Sequence, residues 1–344
     1  MLKILFVGGG SIGHIAPCIA VWEAVKERKK DVAAHFVCSD RSADIAYLQK
    51  NHVAFSTIPL VRRSWRVPFT CIKAYRKAKR ILQTVQPSVI FSKGSSVSVP
   101  VCFAGRRLGI PIVMHESDAV PGFASRFTAR FAKVVLTGFP GTGLRTAYVS
   151  GNPVRASILR GNRSRGLKRS GLSGDRPILL VLGGSQGSRA LNEAILGVLD
   201  ALLEHCDIIH ITGKGKESAG VSRPGYFQMP FAEEGLEDFY ACAAVALSRS
   251  GAGILSELFA WGIPTLVVPL EGVAQNHQYA NAKFFAERGA CVLLDQRDLE
   301  QSFLPEIRKI LNDPMQRENM QTKARALGSR SAAAGIAEKI LGDF

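Results

Sequence analysis

The sequence predicts an α/β protein of two doubly wound halves, each a parallel sheet with helices on both faces. Three observations predict it. Short, fully apolar strand-like runs alternate with helix-like runs, which is how strands buried on both faces read. Gly-Ile-Pro followed by a β-run occurs twice, at Gly109–Met114 and Gly262–Val268. A strand running into a glycine loop also occurs twice, as ILFVGGGSIGH from Ile4 and ILLVLGGSQGS from Ile178. The 344 residues exceed one compact core and suit two domains.

Taken in order, KILFVGG reads as a strand, IAPCIAVWEAVKER as a helix and VAAHFVCSD as the next strand. PSVIFSKG, the apolar run VSVPVCFAGRRLG and IPIVMHES follow. In the second half PILLVLGG precedes a helix expected over Ser188–Leu203. DIIHITGKG, AVALSRSG, a helix near ILSELFAWG and the strand IPTLVVPLEG come next. Leu159–Pro177 is rich in Gly, Ser and Arg and reads as a surface loop or flexible linker, with the hinge just before it at Gly151–Pro153. The expected division is 1–152, 153–325, and a closing helix in 326–344 that packs back on the first domain. Ligands of such a design belong beyond the strand C-termini, in a deep cleft between the domains.

Composition narrows the function. Hydrophobic residues make up 47% of the chain, yet no run approaches about 18 uninterrupted apolar residues, so no transmembrane helix is expected. The chain enters a strand at once, without a signal-peptide pattern, which predicts the cytoplasm. Seven cysteines are scattered without a C-x-x-C pair, which fits buried thiols better than a zinc or disulfide framework. Residues 1–150 hold 22 Lys and Arg against 7 Asp and Glu, while 151–344 hold 22 against 21. The excess of the first half predicts an anionic surface as partner. No nucleic-acid module is recognisable, so nucleic acid is not expected.

The glycine loops suit an anion, because bare backbone N–H groups at a helix start favour negative charge. Gly8, Gly10 and Gly13 also satisfy G-x-G-x-x-G, with Asp40 near the end of the second strand, so a dinucleotide reading stands beside it. SRSGAGILSE places Ser250, Gly251, Ala252 and Gly253 at a helix start with Glu257 one turn inside. A diphosphate suits that start, and a carboxylate, which only accepts hydrogen bonds, suits vicinal ribose hydroxyls. Downstream lie Gln275, Asn276, Gln278 and Asn281, amides that suit sugar hydroxyls. No D-x-D motif or other metal-ligand cluster is present, so no metal is expected. Val61–Gln83 interleaves Arg62, Arg63, Arg66, Arg76 and Arg80 with Trp65 and Phe69, a pattern for a membrane interface.

In this order GGGSIGH, SKGSSVSVP, GIPIVMHESDAVPG, GNPVR, LGGSQGSRALN, SRSGAGILSE and QYANA resemble the MurG family of peptidoglycan N-acetylglucosaminyltransferases. The resemblance runs from the first strand to at least residue 295. It implies a GT-B fold and a peripheral enzyme on the cytoplasmic face of the bacterial membrane. It implies inverting transfer of N-acetylglucosamine from UDP-GlcNAc to lipid I, undecaprenyl-diphospho-N-acetylmuramoyl-pentapeptide, without a cofactor. Related readings are transfer to another lipid-linked acceptor and non-catalytic nucleotide-sugar binding. Carried over, the donor contacts are Ser11, Ile12, Gly13, Asp118, Arg155, Ser185, Ala232, Ala252, Gly253, Ile254, Leu255, Ser256, Glu257, Gln278 and Asn281. His14 and Asp118 are the candidate general bases. Three departures stand out: Ile12 replaces a common glycine, Asp118 replaces a common Asn, and KGSSVS stands where a glycine pair and an aromatic are common.

Overall fold

The computed structural model describes the chain except residues 60–66, 185–186, 219, 233, 271 and 273–275, with the side chains of 67–69 also set aside. Two compact units emerge: Met1–Arg155 with Ser331–Phe344, and Ala156–Arg330.

The first unit alternates strand and helix. Its order is β1 Leu2–Val7, α1 Ile12–Arg28, β2 Val32–Ser39, α2 Ser42–Lys50, β3 Phe55–Ile58 and α3 Val67–Val85. It continues with β4 Val89–Ser92, α4 Ser98–Arg107, β5 Ile112–Glu116, α5 Phe123–Ala129, β6 Val134–Thr137 and β7 Ala147–Val149. All seven strands are parallel, in the order β3-β2-β1-β4-β5-β6-β7. β1 is central, and its register sets Phe6 between Phe36 and Phe91. The Phe6 and Phe36 rings stack at 4.9 Å.

The second unit holds α6 Arg163–Ser170, β8 Ile178–Leu182, α7 Arg189–Gly197, α8 Leu199–Leu203, β9 Asp207–Ile211, β10 Tyr226–Met229 and α9 Leu236–Cys242. β11 Val245–Ser248, α10 Ala252–Trp261, β12 Thr265–Val267, α11 His277–Ala286, β13 Cys291–Leu293, α12 Leu299–Asn312 and α13 Pro314–Leu327 complete it. Its parallel sheet runs β10-β9-β8-β11-β12-β13. Leu179, Val181, Leu191, Ile208, Val245, Phe303 and Ile307 form the core on the α7 and α12 side.

Two elements differ from the sequence reading. The span from Leu159 to Pro177 is not a loop but a 3-10 turn, Ala156–Arg160, followed by α6. Asn162 caps α6, accepting from the Arg165 N–H at 3.0 Å, and Gly171 ends it at φ 69°. Asp238, buried on α9, takes the Asn162 N–H at 2.8 Å and the Arg165 guanidinium at 2.8 Å. Capping and a charged anchor thus hold a helix that has few apolar residues of its own. The helix expected over Ser188–Leu203 is two, α7 and α8, broken at Val198, where a glycine meets a β-branched residue.

The last helix, α14 Ala332–Asp343, belongs to the first unit. Ala333, Ile336, Ala337 and Ile340 are buried in one core with Ile15, Ile19, Val25, Phe6 and Phe36. Ile336→Ala is expected to destabilise the first unit by about 2–5 kcal/mol, the usual cost of such a core cavity. Urea unfolding read by hydrogen exchange at β1 and α1 checks this; unchanged protection there would contradict the packing.

Candidate functional site

The candidate side chains gather at the C-terminal ends of the central strands in each unit.

In the first unit, the glycine loop after β1 is held by close approach. Gly8 donates to the Val37 carbonyl at 3.1 Å, and a Cβ on it would sit 2.3 Å from the His14 carbonyl oxygen. Gly10 is left-handed, at φ 87°, and donates to Asp44 Oδ2 at 2.7 Å. The Arg41 guanidinium donates to its carbonyl. Ser11 then caps α1 in extended conformation without a side-chain hydrogen bond, leaving the first N–H groups of α1 uncapped by a side chain. Ile12 opens α1 and is not among the positive-φ residues, so its Cβ meets no backbone penalty at the position where the resemblance implies a glycine. Gly13 is exposed at the same start.

His14 lies in the first turn of α1. Its Nδ1 is 3.3 Å from the Lys93 carbonyl oxygen, which can only accept, so Nδ1 carries the proton and Nε2 the lone pair. Burial, then the Lys93 charge, lower its pKa; Asp118 and Asp44 oppose them. The imidazole is therefore neutral at pH 7.

Lys93 follows β4 and is buried. Its Nζ donates to His115 Nδ1 at 2.6 Å and to Ser117 Oγ. His115 donates from Nε2 to the Gly151 carbonyl at 2.9 Å, which fixes Nδ1 as the acceptor. Burial first, then the Lys93 charge, hold His115 well below the ordinary value and keep it neutral. Burial pushes the Lys93 ammonium down to about 8, while Glu116, Cys18 and Asp118 raise it. Burial raises the pKa of Glu116. Glu116 accepts from the Asp118 N–H at 2.9 Å and the Gly122 N–H at 3.4 Å, folding the turn that carries Asp118. Asn152 braces it by donating to the Ser117 carbonyl at 3.0 Å. Arg155 ends the unit, with its Nε buried and lacking a hydrogen-bond partner among the described residues.

In the second unit, Gly251 is the N-cap of α10 and offers no side chain to the first N–H groups, those of Ala252, Gly253 and Ile254. Gly253 is exposed and Ile254 half-buried. Leu255 is buried, its N–H bonded to the Gly251 carbonyl at 3.1 Å, and Ser256 Oγ donates to the Ala252 carbonyl at 2.7 Å. These two residues build the helix start rather than presenting side chains to it. Glu257 is half-buried and accepts from the Tyr240 hydroxyl at 2.8 Å, which orients the carboxylate. Gln278, near the start of α11, accepts at Oε1 from the Leu270 N–H at 3.0 Å. Asn281 is fully buried and donates to the Ser250 carbonyl at 3.2 Å, so it braces the α10 loop. Ala232, after β10, is buried and has only its backbone to offer. Ser185 lies outside the described residues, as do Arg62, Arg63, Trp65, Arg66 and the Phe69 side chain.

Three residues escaped the sequence reading: Lys93, Tyr240 and Arg249. Arg249 is buried after β11 and donates to Ser188 Oγ at 2.8 Å, the Val268 and Pro269 carbonyls at 3.2 Å and Gln296 Oε1 at 2.7 Å. It ties the ends of β11 and β12 to the N-cap of α7. Among the described residues, no group of three or more His, Cys, Asp and Glu could hold a metal.

Comparison with known proteins matches both units. The glycosyltransferase family 28 N-terminal domain matches residues 4–137, and its C-terminal domain matches 178–340. The UDP-N-acetylglucosamine--N-acetylmuramyl-(pentapeptide) pyrophosphoryl-undecaprenol N-acetylglucosamine transferase of Lachnospira eligens is 33% identical over 91% of this chain and 92% of its own. The same-named Staphylococcus carnosus protein is 35% identical over 90% and 89%. The crystal structure of Acinetobacter baumannii MurG superposes with a TM-score of 0.78, at 26% identity over 99% of this chain and 100% of that one. The chain belongs to glycosyltransferase family 28 and, within it, to the MurG family.

Proposed function

We propose that the chain transfers N-acetylglucosamine from UDP-GlcNAc, with inversion, to undecaprenyl-diphospho-N-acetylmuramoyl-pentapeptide. The observation that carries this reading is the start of α10. An uncapped helix N-terminus meets a glycine loop, with a carboxylate one turn inside and a glutamine side chain on the next helix. Diphosphate, ribose and sugar are served in that order. As the acceptor hydroxyl oxygen bonds to the anomeric carbon, the bond from that carbon to the diphosphate breaks on the opposite face. Negative charge grows on the departing UDP, and fixed N–H dipoles at Ala252–Ile254 stabilise it more than the bound donor. The hydroxyl proton goes to Nε2 of His14, which is neutral and has Nδ1 tied down. Asp118 favours the imidazolium that forms.

UDP release is the test. Release should require a lipid-linked N-acetylmuramoyl-peptide and continue in EDTA. Release of equal rate with an unrelated lipid-linked sugar would favour the reading of a different acceptor. No release with either would leave only nucleotide-sugar binding.

We also infer peripheral attachment of the first unit to the anionic cytoplasmic face of the membrane. Arg76 and Arg80 of α3 lie in one groove with Lys73, Lys77 and Ile72. Tyr75, Phe103, Phe127 and Phe123 form a run of rings across α3, α4 and α5, spaced 5.7–6.4 Å, with Phe123 74% exposed. Arg107 lies over Phe103 and Arg106 over Phe131. Cations beside half-buried rings, with Phe123 exposed at the end of the run, suit the lipid interface. No helix among the described residues is long and apolar enough to cross a membrane. Replacing Arg62, Arg63, Arg66, Arg76 and Arg80 by Gln should weaken sedimentation with anionic vesicles, and rising salt should do the same in the wild type. Turnover of a short-chain acceptor should hold. Equal binding to neutral vesicles would refute the electrostatic attachment.

A further inference from the structure

We propose that Arg41 and Asp44, at the start of α2, are positioning residues for the transfer step. They hold Gly10 from both sides, and so fix the direction of the Ser11 N–H and the start of α1, which carries His14. The proposal rests on the reading of His14 as the base, and deepens it.

Three glycines in a row leave the backbone after β1 free to take either hand. The connection from β2 to α2 makes the choice. Gly10 donates its N–H to Asp44 Oδ2 at 2.7 Å, and the same oxygen accepts from Ser39 Oγ at 2.5 Å. The Arg41 guanidinium donates to the Gly10 carbonyl, and the Arg41 N–H donates to Ser39 Oγ at 3.3 Å. Gly10, Asp44, Ser39 and Arg41 thus close a ring of hydrogen bonds. A Cβ on Gly9 would sit 2.7 Å from the Ser39 nitrogen, so the loop lies directly against this connection. The helix itself needs neither side chain in this place. Arg41 is the N-cap of α2 and makes no side-chain cap bond there. Asp44 is 1% exposed, with Oδ1 buried and without a hydrogen-bond partner among the described residues. An exposed acid in the first turn would serve the helix dipole without that burial cost.

A trans peptide holds its carbonyl oxygen and its N–H on opposite sides of one plane. With the Gly10 carbonyl drawn to Arg41, the N–H of Ser11 points away from Arg41, and it meets no acceptor among the described residues. Ser11 in turn accepts at its carbonyl from the His14 N–H at 3.1 Å. The loop and the first turn of α1 are fitted closely, since a Cβ on Gly8 would lie 2.3 Å from the His14 carbonyl oxygen. Release of Gly10 would let the Gly10–Ser11 peptide turn over. That would reverse the Ser11 N–H and shift the turn from which His14 projects.

The full chain is compared as wild type, Arg41→Met, Arg41→Lys, Asp44→Leu and Asp44→Asn. kcat is measured on a short-chain lipid-linked acceptor, UDP affinity checks the second unit, and the Ser11 amide is followed by NMR in 15N-labelled protein. Arg41→Met should lower kcat by about 10- to 100-fold, the scale of a small misplacement of a reacting group. It should move the Ser11 amide signal and leave UDP affinity unchanged. Asp44→Leu should do the same; should it fail to fold, Arg41→Met, at a half-buried position, carries the test. Arg41→Lys keeps a donor for the Gly10 carbonyl and Asp44→Asn keeps an acceptor for its N–H, so both should recover most of kcat. In a His14→Ala background, Arg41→Met should cost no more than about twofold further, because residues that act as a unit are not additive. Unchanged kcat in Arg41→Met overturns the proposal. So does an equal loss with and without His14, which would mean that Arg41 acts apart from the imidazole. If His14→Ala by itself leaves kcat intact, the reading of His14 as the base falls, and the proposal with it.

Discussion

His14→Ala should lower kcat by about 10²–10⁴-fold, the range a positioned general base supplies, and leave the dissociation constant of UDP-GlcNAc unchanged. The imidazole is neutral, its Nδ1 is committed to the Lys93 carbonyl, and Nε2 keeps a lone pair. The wild-type acid limb should lie below the ordinary histidine value. Burial and the Lys93 charge depress the His14 pKa, so the neutral, active form survives to lower pH and is lost only as pH falls through that depressed value. Asp118→Asn separates the rival base. Its effect should be smaller, because Asp118 supports the imidazolium through space rather than taking the proton. A fall in kcat with Asp118→Asn that exceeds the fall with His14→Ala would transfer the assignment to Asp118.

Glu257→Ala should weaken UDP-GlcNAc binding by roughly 1.5–3 kcal/mol, the worth of hydrogen bonds to a charged group. That is about 10- to 150-fold in the dissociation constant. The carboxylate sits one turn inside the uncapped start of α10 and is oriented by the Tyr240 hydroxyl. Tyr240→Phe should therefore weaken binding as well, by about 0.5–1.5 kcal/mol, the net worth of one ordinary hydrogen bond. Calorimetry with UDP-GlcNAc measures both. Unchanged affinity in a folded Glu257→Ala variant would remove Glu257 from the donor site. A loss in Tyr240→Phe as large as in Glu257→Ala would point to a collapsed α9 instead.

Much of the architecture could be read from local pattern. Ile178–Leu182, wholly apolar, and Ile112–Glu116, apolar up to His115, became strands buried along their whole length, because a parallel sheet covered on both faces needs no alternation. Gly251 and Glu257 were legible as a helix start with an acid inside it, since both are short-range features. What failed depended on partners far away in sequence. Lys93 reads as an ordinary surface lysine until β5 brings His115 and Ser117 to it. Tyr240 reads as a core aromatic until α10 supplies Glu257. The ring run from Tyr75 to Phe123 is assembled from three helices, so no window of sequence contains it. Only α6 was a missed local signal, with Asn162 and Gly171 bracketing it as caps.

The place of α14 bears on how the protein is made. The core under α1 includes Ile336 and Ile340, and the whole second unit lies between them and the rest of that core in sequence. A ribosome delivers the chain from the N-terminus, and domains ordinarily fold as they emerge. Here the second unit is complete in sequence before the first can be. Until Ala332–Asp343 is synthesised, the core that α1 shares with α14 lacks Ile336 and Ile340 and offers a sticky surface to chaperones or to other nascent chains. The second unit, with its core drawn entirely from Ala156–Arg330, needs no such delay. The half that this protein makes first is thus the half it finishes last, and loss of the last helix would harm the N-terminal half.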